Sequence, residues 1–235
     1  PAGSFRGRLP GMTSKKGWPT MSDEIRVSNA TKVIKGRTVL DGVSLDLSRG
    51  GVYGFLGING SGKTMLFRAI AGLIHLTTGS VEVFGKTIGR DCDYPPNLGL
   101  SLDTTGFWED RTALSNLTFL ASIRGVAGEP KARHALERVG LDPYDKRKVS
   151  AFSMGMRQRL SLAQAVMEAP ELLILDEPTN ALDADGVDMV AKLIGEERAR
   201  GCTVLVSCHN EPKVEALFDQ TFRLYEGRLT EGEKR

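Results

Sequence analysis

The chain lacks the cysteine pairs, the long apolar runs and the surplus of one charge that would each assign it to a particular class. Its three cysteines, Cys92, Cys202 and Cys208, are an odd number without CxxC spacing. That favours a reducing compartment over a disulfide scaffold or a zinc site. No apolar run approaches the roughly 18 residues of a membrane span, and the N-terminus carries no hydrophobic signal region. The 31 basic and 29 acidic residues are interspersed and leave a net charge of +2, so no field implies nucleic acid or an anionic membrane. What is present is a globular chain of 235 residues, 40% of them hydrophobic, enough for one large core or two modest ones. Residues 1–22, rich in Gly, Pro and basic side chains, read as a disordered or vector-derived leader, with Met12 and Met21 both open as natural starts. Residues 23–235 read as a single domain.

The stretch GINGSGKT (57–64) fits G-x-x-x-x-G-K-[ST]. Glycines at 57, 60 and 62 let successive backbone N–H groups point into one concavity, which suits a polyphosphate at a helix N-terminus. Gly57, Asn59, Gly60, Ser61, Gly62, Lys63, Thr64 and Met65 are therefore candidate ATP-binding residues. Lys63 would reach the β- and γ-phosphates, and the Thr64 hydroxyl would ligate Mg²⁺. A glycine-rich turn capping a helix is the alternative. The flanks favour phosphate: VYGFLG (52–57) reads as a buried strand and MLFRAIAGL (65–73) as an apolar-faced helix.

Short β-rich pieces come first: EIRVSNA (24–30), VSLDL (43–47), VYGFL and VEVFG (81–85). From about 104 to 168 the spacing turns helical, through TALSNLTFLASIRG, PKARHALERVG and MGMRQRLSLAQAVMEA. LLIL (172–175) and TVLV (203–206) follow, with the helix-like GVDMVAKLIGEE between them. Runs apolar on both faces suit a parallel sheet covered by helices, so the expected class is α/β. LLILDEPTN ends a buried strand with Asp176 and Glu177, where ligands bind in open α/β sheets. Asp176 would hold Mg²⁺ and Glu177 would activate water as general base. Two solvated carboxylates at a strand end are the alternative.

FSMGMRQRL (152–160) precedes LLILDEP by about twenty residues, and NALD (180–183) and VSCHN (206–210) follow it. Taken singly, Ser153 is an N-cap candidate and His209 an ordinary strand-end histidine. The ordered set of five motifs, however, resembles the ATP-binding cassette (ABC) of ABC transporters from about 24 to 229.

That resemblance implies a phosphate-loop NTPase cassette with a mainly parallel core sheet, an antiparallel β subdomain and an α-helical subdomain. It implies ATP and Mg²⁺ as cofactors and two cassettes closing head to tail, either a homodimer or a pair with a second ATPase subunit. Ser153 and Gly155 would contact the γ-phosphate across the interface, Asp183 would communicate between the sites, and His209 would touch the γ-phosphate. Lys63, Glu177 and His209 are the implied catalytic residues, and Thr64, Asp103 and Asp176 the implied metal set. The chain would sit at the cytoplasmic face of the membrane against a transmembrane permease on a separate chain, without nucleic acid as partner. The 107–120 segment is a candidate docking surface, with Phe107 and Trp108 as anchors or as core. A soluble ABC ATPase acting on DNA or ribosomes is the alternative function; a GTPase lacks support because no N-K-x-D follows the sheet.

Three departures from the family pattern matter. Met154 and Met156 flank Gly155, so FSMGMRQRL is similar to the SLGM-type signature of bacitracin- and lantibiotic-resistance exporters. Asp103 falls where the family usually has glutamine, as a ligand of Mg²⁺ or its water, or, with the register shifted by one, as a surface acid. Ile34 stands where an aromatic ring usually meets adenine, which predicts weaker base recognition because stacking contributes roughly 1 to 3 kcal/mol.

Overall fold

A computed structural model describes residues 24–102, 106–209 and 211–234. Strands β1 (Glu24–Ile34) and β2 (Arg37–Ser48) form a long antiparallel pair, followed by β3 (Val52–Leu56) and helix α1 (Lys63–Ile70). Then come β4 (Thr78–Val83), β5 (Lys86–Thr87), β6 (Leu98–Ser101), α2 (Ala113–Arg124), α3 (Glu129–Arg138) and α4 (Met154–Val166). The chain continues through β7 (Leu172–Asp176), α5 (Ala184–Ala199), β8 (Thr203–Ser207), a short α6 (Pro212–Glu215), β9 (Gln220–Tyr225) and β10 (Arg228–Lys234).

Two sheets result. One is antiparallel, in the order β2-β1-β4-β5; the other has six strands, β10-β9-β3-β8-β7-β6, parallel except for β10. The architecture is the α/β one read from the sequence. Several bounds differ from that reading. The pair β1 and β2 runs well beyond EIRVSNA and VSLDL because the strands satisfy each other's backbone, whatever the polarity of the added residues. Strand β4 stops at Val83, and Phe84 at φ 50° begins a turn.

Alternation along the central strands fills two cores. Val52, Leu173, Leu175, Val204 and Val206 face α2 to α5, whereas Tyr53, Phe55, Leu172, Ile174 and Leu205 face α1 and the antiparallel sheet. Apolar residues on both sides of each strand thus have a layer to bury them, which is why these strands read as continuous apolar runs. Because β3, β8, β7 and β6 are parallel, their C-terminal ends share one edge, and β8 lies between β3 and β7. That edge carries the site.

Candidate functional site

The loop after β3 and the first turn of α1 form the floor of a cavity of about 790 Å³, lined by residues 59–65 with Asp176, Glu177 and Asn180. Gly62 is at φ 113°, and a Cβ there would lie 2.9 Å from the Val39 carbonyl oxygen, so both the turn and the close approach require glycine. Lys63 is buried and donates to the Gly57 carbonyl at 2.6 Å, folding its ammonium back over the loop. Its Nζ also lies 3.4 Å from Glu177 Oε1. That approach lacks hydrogen-bond geometry, for the same Oε1 is buried without a hydrogen-bond partner. Glu177 lines the cavity, and its buried Oε1 beside the cation is an acceptor without a hydrogen-bond partner.

Thr64 Oγ1 donates to Asp176 Oδ2 at 2.5 Å, joining the helix after the loop to the end of β7. Ser207 Oγ donates to the other oxygen, Oδ1, and accepts from the Glu177 N–H at 2.8 Å. Glu177 itself sits at φ 48°, a left-handed conformation uncommon for a residue with a side chain and often found at functional sites. The pair Thr64 and Asp176 offers hard oxygens beside a phosphate loop, a donor set that fits Mg²⁺, which is usually held by one or two carboxylates plus substrate phosphates. Among the described residues no group of three or more His, Cys, Asp or Glu side chains could hold a metal. Burial pushes the thiol of Cys208, the neighbour of Ser207, up to about 12, so it is no nucleophile at neutral pH.

The remaining predicted residues lie elsewhere. Ser153 is the N-cap of α4, accepting from the Met156 N–H at 3.2 Å, and Asp183 is the N-cap of α5, accepting from the Gly186 N–H at 2.9 Å. Ser153, Gly155, Asp183 and His209 do not line the cavity. His209 is exposed beyond β8. The start of α4 is instead tied to the 178–183 loop of its own chain. A Cβ on Gly155 would sit 2.9 Å from the Ala181 carbonyl oxygen, Gln158 donates to the Pro178 carbonyl at 3.2 Å, and Arg159 pairs with Asp183 at 3.6 Å. Asp103, Asn210 and the 1–22 leader lie outside the described residues.

Sequence reasoning missed the far rim of the cavity, Arg37, Thr38, Val39, Glu226 and Gly227. Gly227 donates to the Ser61 carbonyl at 2.9 Å and Asp41 to the Gly227 carbonyl at 2.9 Å, so the β9–β10 turn braces the phosphate loop. No local motif marks that turn. Asn180 was within reach, since it opens NALD. Ile34, at the end of β1, is not among the lining residues; its hairpin neighbour Arg37 is.

Phe107 and Trp108 separate in the fold. Phe107 packs on the helical core, whereas Trp108 is 40% exposed and meets exposed Phe119 in a tilted ring contact, centroids 4.1 Å apart and planes at 42°. Buried Asn116 fixes the Trp108 backbone, accepting from its N–H at 2.8 Å and donating to its carbonyl at 3.1 Å. Ile123 and Val126 extend this exposed apolar strip along and beyond α2. Among the described residues no helix is long and apolar enough to cross a membrane.

Comparison with known proteins gives a consistent result. The family described as ABC transporter matches residues 40–180. The uncharacterized ABC transporter ATP-binding protein YybJ of Bacillus subtilis is 41% identical over 89% of the chain and 96% of its own length. The bacitracin transport ATP-binding protein BcrA of Bacillus licheniformis is 37% identical over 90% of the chain and 70% of its own length. The lantibiotic transport ATP-binding protein SrtF of Streptococcus pyogenes is 34% identical over 87% and 88%. Among solved structures, the dimeric bacterial ABC transporter cassette MJ0796 superposes with a TM-score of 0.81 at 24% identity, covering 89% of this chain and 98% of its own, a likeness of fold.

Proposed function

The chain belongs to the ABC transporter family of ATP-binding proteins, and from that premise we propose that it pairs with a second cassette on MgATP and drives a membrane permease carried by another chain. Its activity is ATP hydrolysis. The observation that carries the reading is the convergence of the phosphate loop, Asp176 and Glu177 in one cavity at the ends of neighbouring strands.

In this reading the loop N–H groups and Lys63 hold the triphosphate, Lys63 exchanging the Gly57 carbonyl for phosphate oxygens. Thr64 and Asp176 would hold Mg²⁺, which would supply neutralisation of charge on the transferring phosphoryl group. Glu177 accepts a proton from the water that forms the new P–O bond as the bond to ADP breaks. Ser153 and Gly155 act on the nucleotide of the second cassette. Their support is that they lie outside their own cavity, on a helix start tied to the Asp183 loop. His209 is assigned the γ-phosphate contact on its place in the motif order alone, being exposed past β8 and off the cavity lining. The strip of Trp108, Phe119 and Ile123 docks the permease at the cytoplasmic face of the membrane, its support being two exposed rings in contact, with the Trp108 backbone fixed by a buried asparagine. Relatives named for bacitracin and lantibiotic transport support export as the direction.

The test is co-expression with the product of a neighbouring reading frame that carries about six hydrophobic spans of roughly 20 residues each. The wild type should retain that protein through detergent purification, and Trp108→Ala with Phe119→Ala should lose it while still releasing phosphate from ATP. Equal retention by the variant would remove the strip as the docking surface. No retained membrane protein, with no MgATP-dependent dimer on sizing chromatography, would overturn the subunit reading.

A further inference from the structure

Ser207 ends β8 fully buried, in register between Phe55 of β3 and Asp176 of β7. A hydroxyl has one proton and two lone pairs, and both kinds of capacity are used here in a fixed sense. The proton goes to Asp176 Oδ1, and a lone pair takes the Glu177 N–H at 2.8 Å. The second Asp176 oxygen is held by Thr64. The carboxylate plane is therefore set by two hydroxyls from two segments, one on the helix after the phosphate loop and one on the strand beside it.

Glu177 is the more demanding of the two. Its left-handed backbone at φ 48° turns the chain off the end of β7 and brings Oε1 to 3.4 Å from Lys63. A left-handed non-glycine residue persists only where its surroundings over-determine it. The Ser207 oxygen, one strand over, is a contact that does so, and without it the Glu177 N–H would lose its hydrogen bond.

We infer that Ser207 is a positioning residue for hydrolysis, acting through Asp176 and Glu177 and touching no nucleotide itself. This rests on the roles proposed above for those two acids. Partners that orient metal-site ligands typically matter by about 10- to 100-fold in activity or metal affinity, so Ser207→Ala should lower kcat by about that factor and raise the half-saturating Mg²⁺. The phosphate loop is untouched. The KM for ATP, and the calorimetric affinity for ATP without metal, should stay within about twofold. Ser207→Thr keeps the hydroxyl and should recover most of kcat and of the Mg²⁺ response.

The experiment measures phosphate release, Mg²⁺ half-saturation, metal-free ATP affinity and thermal midpoint for the wild type, both Ser207 variants and Glu177→Gln. Slow Ser207→Ala with ordinary metal-free affinity and rescue by threonine supports the inference. Ser207→Ala matching the wild type in kcat and Mg²⁺ response, beside an inactive Glu177→Gln, overturns it alone. Alanine and threonine variants that are equally slow, with equally lowered midpoints, also overturn it by reducing Ser207 to packing. Glu177→Gln hydrolysing like the wild type removes the reading beneath it, and the inference with it.

Discussion

Replacing Glu177 by glutamine keeps the shape of the side chain and removes its charge and its capacity to take a proton. The structure separates what this should and should not disturb. The backbone of residue 177 is held by Ser207 through its N–H, which glutamine retains, so the end of β7 and Asp176 should not move. Lys63 keeps its bond to the Gly57 carbonyl at 2.6 Å, so the loop should not open. What disappears is a buried carboxylate oxygen 3.4 Å from the Lys63 ammonium, on a residue that lines the cavity. Loss of a positioned general base typically costs about 10² to 10⁴ in rate, equivalent to about 2.7 to 5.4 kcal/mol of barrier. Binding should move the other way. A carboxylate that competes with the triphosphate for Lys63 and repels its charge is gone, so the Kd for ATP should be unchanged or up to about tenfold lower, about 1.4 kcal/mol. Phosphate release under saturating MgATP gives kcat, calorimetry gives Kd, and sizing chromatography with ATP should show a persistent dimer. A kcat within about fivefold of the wild type would refute Glu177 as base. Loss of binding would show instead that glutamine had disturbed the loop.

Lys63→Ala should lose nucleotide binding itself, because the loop loses its mobile cation; retained MgATP affinity in calorimetry would contradict that. With no aromatic ring among the described residues that line the cavity, ATP and GTP should bind within about tenfold of each other, and a much larger ATP preference in competition binding would show that another group reads the base. Asp103→Asn should raise the Mg²⁺ needed for half-maximal hydrolysis, while metal-free ATP affinity holds or improves as repulsion is relieved. Asp103→Gln should recover much of the activity; superimposable Mg²⁺ titrations of the three proteins would remove Asp103 from the metal set.

The phosphate loop and the acids ending β7 were legible because each is a local event: a strand, a loop whose spacing is chemical, and a helix or a strand end, all within about twenty residues. The central strands were legible for a related reason, since burial on both faces leaves an unbroken apolar run in LLIL and TVLV. Strands β6, β9 and β10 were not, because LGLS and QTFRLY acquire strand geometry from parallel neighbours far away in sequence. The rim of the cavity was invisible on the same ground. Glu226 and Gly227 meet the phosphate loop only because β9 pairs with β3 across more than 150 residues of chain. Trp108 and Phe107, adjacent and alike in polarity, could not be told apart until packing half-buried Phe107 on the helical core and left Trp108 exposed against Phe119. Ser207 shows the limit most clearly. In VSCHN it is a small polar residue beside a more conspicuous histidine, and nothing within that stretch says which strands flank it. The strand order β3-β8-β7 puts its hydroxyl between Asp176 and Glu177. The sequence by itself determined which groups could do the chemistry; the order of strands in the sheet, set by long-range backbone pairing and two-sided burial, decided which groups hold them in place.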